Sequence, residues 1–132
     1  MMSRFLLLFM TLIVVGCGTT KSKVQQSGVP VPVITFDQET IDIGTVKKGE
    51  KRDLVYTFTN TGSADLEIEL ITACKCTSTD WTRGKIPPGE RGKISVTFDS
   101  KNQAKGKLKK TIDIICNTDP IVAECFFIGV IE

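Results

Sequence analysis

Cys74 and Cys76, in the stretch ITACKCTSTDW at 71–81, are the side chains of this 132-residue chain whose type and spacing best suit chemistry. Two thiolates one residue apart can take Cu(I), a soft cation that favours sulfur. Oxidised to a disulfide, the pair can exchange with other thiols. Buried and reduced, they are small hydrophobes, since cysteine is among the residue types most often found in cores. The surrounding pattern favours the buried state. Extending the alternation of Leu66, Ile68 and Leu70 sets Thr72, Cys74 and Cys76 on one side, inward or towards an end of the domain, with Lys75 pointing out. A Cys74–Cys76 bond within an extended strand would span Cα atoms ~6.6 Å apart, near the upper limit for a disulfide, and would be strained and readily reduced.

Other ligands for a metal are scarce. The chain has no histidine, and its methionines, Met1, Met2 and Met10, all fall in the leader described below. A zinc site would have to recruit Cys116 and Cys125, whose spacing matches no usual zinc module. A hairpin closed at Asn117–Pro120 sets Cys116 near Ile121 and Cys125 opposite Ile112, so these two thiols are expected to stay unbridged.

Without histidine no Ser-His-Asp or Cys-His arrangement exists. Glu67 and Glu69 share a solvent face, as strand acids commonly do, and PPGERG precedes a strand rather than the helix that a phosphate-binding loop needs. The expectation is a protein without catalysis and without a cofactor, apart from covalent lipid. Trp81 and Lys75 are candidate contacts for a partner, with packing over the domain end as the alternative for the tryptophan. The basic run KNQAKGKLKK at 101–110 reads as a solvated hairpin whose lysines discourage edge pairing.

The amino-terminal residues MMSRFLLLFMTLIVVGCGTT follow the grammar of a secretory leader: Arg4, then an apolar run from Phe5 to Val15. That run is shorter than the ~18 residues a spanning helix needs. VVGC resembles a bacterial lipobox, which implies cleavage before Cys17 and lipidation of that cysteine. Residues 1–16 are thus the expected signal peptide and 17–32, rich in small, polar and proline residues, a flexible tether. By resemblance to known sorting signals, the lack of Asp after Cys17 and of a nearby acidic cluster points to the outer membrane, facing the periplasm. Losing Arg4 leaves 16 basic against 15 acidic residues, so no nucleic-acid-binding face is implied. The expected partners are the membrane, through the lipid, and a protein of the cell envelope.

Residues 33–132 are long enough for one domain with its own core. Period two dominates: Leu54, Tyr56 and Phe58 share a face, as do Leu66, Ile68 and Leu70, then Ile94, Val96 and Phe98, then Ile112, Ile114 and Cys116. Two shorter strands are expected at 33–36 and 40–44. Turn residues separate the strands at KKGE, NTGS, PPGE, KNQAKG and NTDP. About seven antiparallel strands at this spacing make an immunoglobulin-like β-sandwich. The last, IVAECFFIGVI, is apolar on both faces apart from Glu124, which fits a strand covered on two sides or an apolar edge offered to a partner.

The segments IDIGTVKKGE, FTNTGSADLEI, the Cys-x-Cys-Thr of 74–77 and IPPGERGKISVTFD together resemble domain-of-unknown-function family 1573, over nearly all of 36–132. The resemblance implies an extracytoplasmic bacterial domain, often a lipoprotein and frequent in Bacteroidetes, with the sandwich of the hydin and major-sperm-protein group. It implies no activity. Members usually carry glycine between the two cysteines, where this chain has Lys75. If that glycine takes positive φ, the backbone here should differ, because lysine tolerates that region poorly.

Overall fold

The computed structural model describes residues 28–132, so the expected leader, the expected lipidation of Cys17 and the expected tether up to residue 27 lie outside the described residues. Eight strands form: β1 (Ile34–Phe36), β2 (Thr40–Val46), β3 (Lys51–Asn60), β4 (Ile68–Thr72), β5 (Thr77–Trp81), β6 (Arg91–Asp99), β7 (Gly106–Cys116) and β8 (Val122–Ile131). They build two four-stranded sheets, ordered β1-β3-β6-β5 and β2-β8-β7-β4. All pairs are antiparallel except β2 and β8, which run parallel.

Each sheet is organised by one long pair. β3 and β6 pair without interruption from Lys51↔Asp99 to Thr59↔Arg91, and β7 and β8 from Gly106↔Ile131 to Ile115↔Val122. Their alternation turns one side chain in two inward. Leu54, Tyr56, Phe58, Ile94, Val96 and Phe98 of the first sheet meet Ile112, Ile114, Cys116, Cys125 and Phe127 of the second, all buried. Each large apolar side chain so covered stabilises the fold by about 1.5–3 kcal/mol. Phe98 and Phe127 meet across the two sheets with ring centroids 5.1 Å apart. The Tyr56 hydroxyl crosses the same gap and donates to the Phe126 carbonyl at 2.5 Å.

The turns follow their residues. In Pro87–Glu90 the Glu90 N–H donates to the Pro87 carbonyl at 3.0 Å and Gly89 sits at φ 83°, the type II geometry that proline then glycine selects. Lys47–Glu50 repeats it with Gly49 at φ 97°. Asn60, fully buried at the end of β3, satisfies its amide completely. Its Nδ2 donates to the carbonyls of Ala64 and Ile86, each at 2.8 Å, and its Oδ1 accepts from the Gly62 and Val33 N–H groups. Ahead of β1, the Val31 N–H donates to Ser63 Oγ and its carbonyl accepts from the Ser63 N–H.

One expected inward residue is corrected. Leu70 is 48% exposed, whereas Ile71 is buried. Cys116 faces Ile68 and Ile115 faces Leu70, so β4 carries one residue more than β7 between these pairs. This bulge at Glu69 shifts the alternation by one and hands the core position to Ile71. The strand most weakly announced by the sequence is β5, polar in TSTDW and recruited by β6 through Thr77↔Phe98 to Trp81↔Ile94.

The bulge sets a contrast between neighbours. Ile71→Ala should destabilise the domain by about 2–4 kcal/mol and Leu70→Ala by less than about 0.5 kcal/mol, read from urea unfolding midpoints at unchanged slope. Equal losses would place the bulge elsewhere.

Candidate functional site

β4 ends at Thr72 on the edge of one sheet and β5 starts at Thr77 on the edge of the other, so residues 73–76 carry the chain across the sandwich. A chain turning through so short a crossing leaves the extended state. The Cys74 carbonyl accepts from the Thr77 N–H at 3.0 Å and from Thr77 Oγ1 at 2.9 Å, closing a four-residue turn with Lys75 and Cys76 at its centre. Among the described residues no residue other than glycine has positive φ, so Lys75 fits this turn without strain. The turn draws the Cα atoms of Cys74 and Cys76 to 5.2 Å, and their sulfurs are joined in a disulfide. This corrects the expectation of two reduced, inward thiols on a continued strand: the bulge and the turn both break that alternation.

The disulfide is half-buried. Cys76 packs against the core cluster, and its carbonyl accepts from the Asp99 N–H at 2.8 Å. A groove of about 270 Å³ opens beside the pair, lined by Lys75, Asp99, Lys101, Gln103 and Lys110. A second, of about 220 Å³, flanks Cys76 on the side of Lys51 and Ser78. Asp99 borders both, and its Oδ1 accepts from the Lys101 backbone N–H at 2.9 Å. Among the described residues, none of Lys51, Lys75, Lys101 and Lys110 is in an ion pair. Sequence reasoning missed this gathering of lysines, because Lys51, Lys101 and Lys110 come from three elements that only the fold brings to the cysteines. With the sulfurs bonded to each other neither is a thiolate, so the two-sulfur Cu(I) ligand set exists only after reduction. Among the described residues no group of three or more His, Cys, Asp or Glu side chains gathers into a metal site.

Cys116 and Cys125 are free and buried on neighbouring strands. The hairpin has the register the turn residues imply: Ile112 faces Cys125, and the Cys116 N–H donates to the Ile121 carbonyl at 2.9 Å. Burial pushes the Cys125 thiol up to about 12, with the charges of Glu39 and Asp113 adding to it. Burial likewise raises the Tyr56 phenol, with a smaller contribution from Cys125. Trp81 is half-buried at the end of β5, packed against the core, with its indole N–H on the Ile68 carbonyl at 3.4 Å. Arg83 lies 3.5 Å over its ring. Lys75 is exposed at the crown of the cysteine turn.

β8 is neither an edge nor covered on both faces. β2 and β7 hold its two sides and the core covers Cys125, Phe127 and Ile131, but Ile128 and Val130 point outward at 36% and 39% exposure. Across from them on β7 stand Lys109 and Lys107, and on β2 Asp42 and Thr45. A shallow groove of about 520 Å³ runs here. Lys109 Nζ lies 4.5 Å over the Phe126 ring.

Two facing sheets with this connectivity define an immunoglobulin-like β-sandwich. The chain belongs to the family described as "Protein of unknown function (DUF1573)", which residues 34–131 match. No curated protein matches it. Among solved structures it is similar to a protein of unknown function from Porphyromonas gingivalis W83, at TM-score 0.65 and 21% identity over 75% of this chain and 46% of that one. It is also similar to the ASH / PapD-like domain 7 of human CEP192, at TM-score 0.59 and 14% identity over 82% and 91% of the two chains. The secreted serine protease VesC of Vibrio cholerae matches at TM-score 0.58 and 14% identity, over 74% of this chain and 23% of that one. At these identities the likeness is one of fold. The chain spans less than half the Porphyromonas protein.

The buried thiol gives a pH dependence. Unfolded, Cys125 loses its proton near 9.0; folded, it keeps it to about 12. Its contribution is therefore complete below pH 9 and is lost as pH rises towards 12, at up to about 1.4 kcal/mol per pH unit. Urea midpoints between pH 8 and 11 should fall, and fall less steeply in Cys125→Ala; parallel slopes would show that this thiol is not what couples folding to pH.

Proposed function

We propose that this protein is a lipid-anchored, extracytoplasmic immunoglobulin-like binding module that holds an envelope protein on the outer face of β2, β8 and β7, without catalysis. The observation that carries this reading is the outward face of β8. A strand with both sides paired and one face in the core gains only strand propensity and cross-strand contacts from apolar residues on its other face, and no core burial, yet Phe126, Ile128 and Val130 follow one another there. Such a strip, flanked by Lys107, Lys109 and Asp42, has the apolar centre and charged rim of a protein interface. Covering it contributes about 25 cal/mol per Å² of apolar area removed from water. The leader and Cys17 support the location: lipid on that cysteine and the tether behind it would hold the module at the membrane with its surface free to engage.

Two tests follow. Ile128→Lys/Val130→Lys should keep the unfolding midpoint within a few degrees and lose the partner recovered by crosslinking from intact envelopes; recovery of the same partner by the double variant would contradict the assigned face. Cys17→Ser should move the protein from the membrane to the soluble fraction and abolish incorporation of labelled palmitate. Unchanged fractionation with unchanged labelling would refute the anchor.

A further inference from the structure

We propose that the Cys74–Cys76 disulfide is a thiol-exchange site whose substrates are small thiols carrying a carboxylate. Three independent features of the crossing turn converge on this. The bond joins residues two apart in a half-buried turn and closes a very small ring. A loop so short removes little freedom from the unfolded chain, so the bond stabilises the fold far less than a long-range one. It also opens onto a groove of about 270 Å³, large enough to admit a small molecule beside the sulfurs. Finally, Lys75, Lys101 and Lys110 line that groove against the single carboxylate of Asp99, and Lys51 stands on the far side of Cys76.

The charges have two effects on the same reaction. Ammonium groups near a sulfur favour its thiolate, which makes that sulfur a better leaving group. They also raise the local concentration of anions, and so select among thiols by charge. Cys76 packs against the core whereas Cys74 stands outside that cluster, so Cys74 is the sulfur open to attack. An external thiolate attacks Cys74 Sγ, forming a mixed disulfide as the bond to Cys76 Sγ breaks and Cys76 leaves as a thiolate. A second external thiolate attacks the sulfur of the bound thiol, releasing the external disulfide and the Cys74 thiolate. Two electrons pass from the two external thiolates to the protein disulfide, and the two cysteine thiolates take up protons from water. The reverse sequence, with an external disulfide as oxidant, restores the bond. Cys116 and Cys125 take no part, since both are buried.

The test is a charge series on the purified full chain. Reduction of the disulfide is followed with 3-mercaptopropionate, 2-mercaptoethanol and cysteamine, each rate divided by the thiolate concentration. A linear disulfide-bonded peptide spanning 72–78 serves as reference. Relative to the peptide, the protein should prefer the anionic over the cationic thiol by at least about fivefold at low salt. That preference should shrink towards unity at high salt and in Lys101→Gln/Lys110→Gln, which removes one exposed and one half-buried charge from the groove. A preference equal to that of the peptide would overturn the proposal. So would one unaffected by salt and by the lysine variant, or a disulfide that none of the three thiols reduces in the folded protein. Loss of envelope partner binding in Ile128→Lys/Val130→Lys leaves this rate series unchanged, so the two proposals fail separately.

Discussion

Two sheets, each apolar on one face, must close over a shared interior, and most of the chain's local choices are made subordinate to that closure. The pairs β3–β6 and β7–β8 supply twelve of the seventeen buried core side chains, and their long unbroken registers keep every second residue inward. Where a feature threatens the closure, the backbone yields. A bulge at Glu69 gives up one step of alternation so that Ile68 and Ile71 both reach the core. Gly92 occupies a place where a Cβ would collide with the ring of Phe58. Polar atoms inside are admitted only when fully paired, as at Asn60 and at Ser100, whose hydroxyl sits among the Lys47 and Glu50 carbonyls and the Gly49 N–H.

The cysteine turn is a consequence of the same closure. Facing sheets lie about 10 Å apart. β4 and β5 sit on corresponding edges of opposite sheets, and four residues must bridge them while reversing into a new pairing. The turn closed by Thr77 does this, and in doing so draws Cys74 towards Cys76. The same end of the sandwich receives the start of the β6–β7 connection and the lower part of β7, which deliver Lys101 and Lys110. Chemistry at this site is thus assembled by topology from residues that are distant in sequence. The outward face of β8 is different: it is a property of one strand, made available because its neighbours are satisfied by pairing alone.

How much of this could be read from the residues follows from the range of the forces involved. Alternation is local, so Leu54 to Phe58, Ile94 to Phe98 and Ile112 to Cys116 could be placed inward from the sequence, as could the hairpin that sets Ile112 opposite Cys125. The turns at Pro87–Glu90 and Lys47–Glu50 were legible because proline fixes its own φ and glycine accepts the positive φ that Gly49 and Gly89 adopt. The bulge was not, since nothing in LEIELIT distinguishes a slipped strand from a regular one until β7 imposes its own register. β5 was hidden because its pairing is supplied by β6 and not by an apolar pattern in TSTDW. The disulfide was obscured by the assumption of an extended backbone, under which the two Cα atoms stand near the upper limit for a bridge rather than at 5.2 Å. The parallel pairing of β2 with β8 is non-local and leaves no mark on either segment.

Peptide mapping of the unreduced protein tests the crossing turn most directly, because trypsin cuts after Lys75, between the two cysteines. The account requires one cross-linked species holding the fragments that end at Lys75 and begin at Cys76, which separates on reduction, with Cys116 and Cys125 alkylated only after unfolding. A bond from either crossing cysteine to Cys116 or Cys125, or alkylation of all four thiols without reductant, would contradict it.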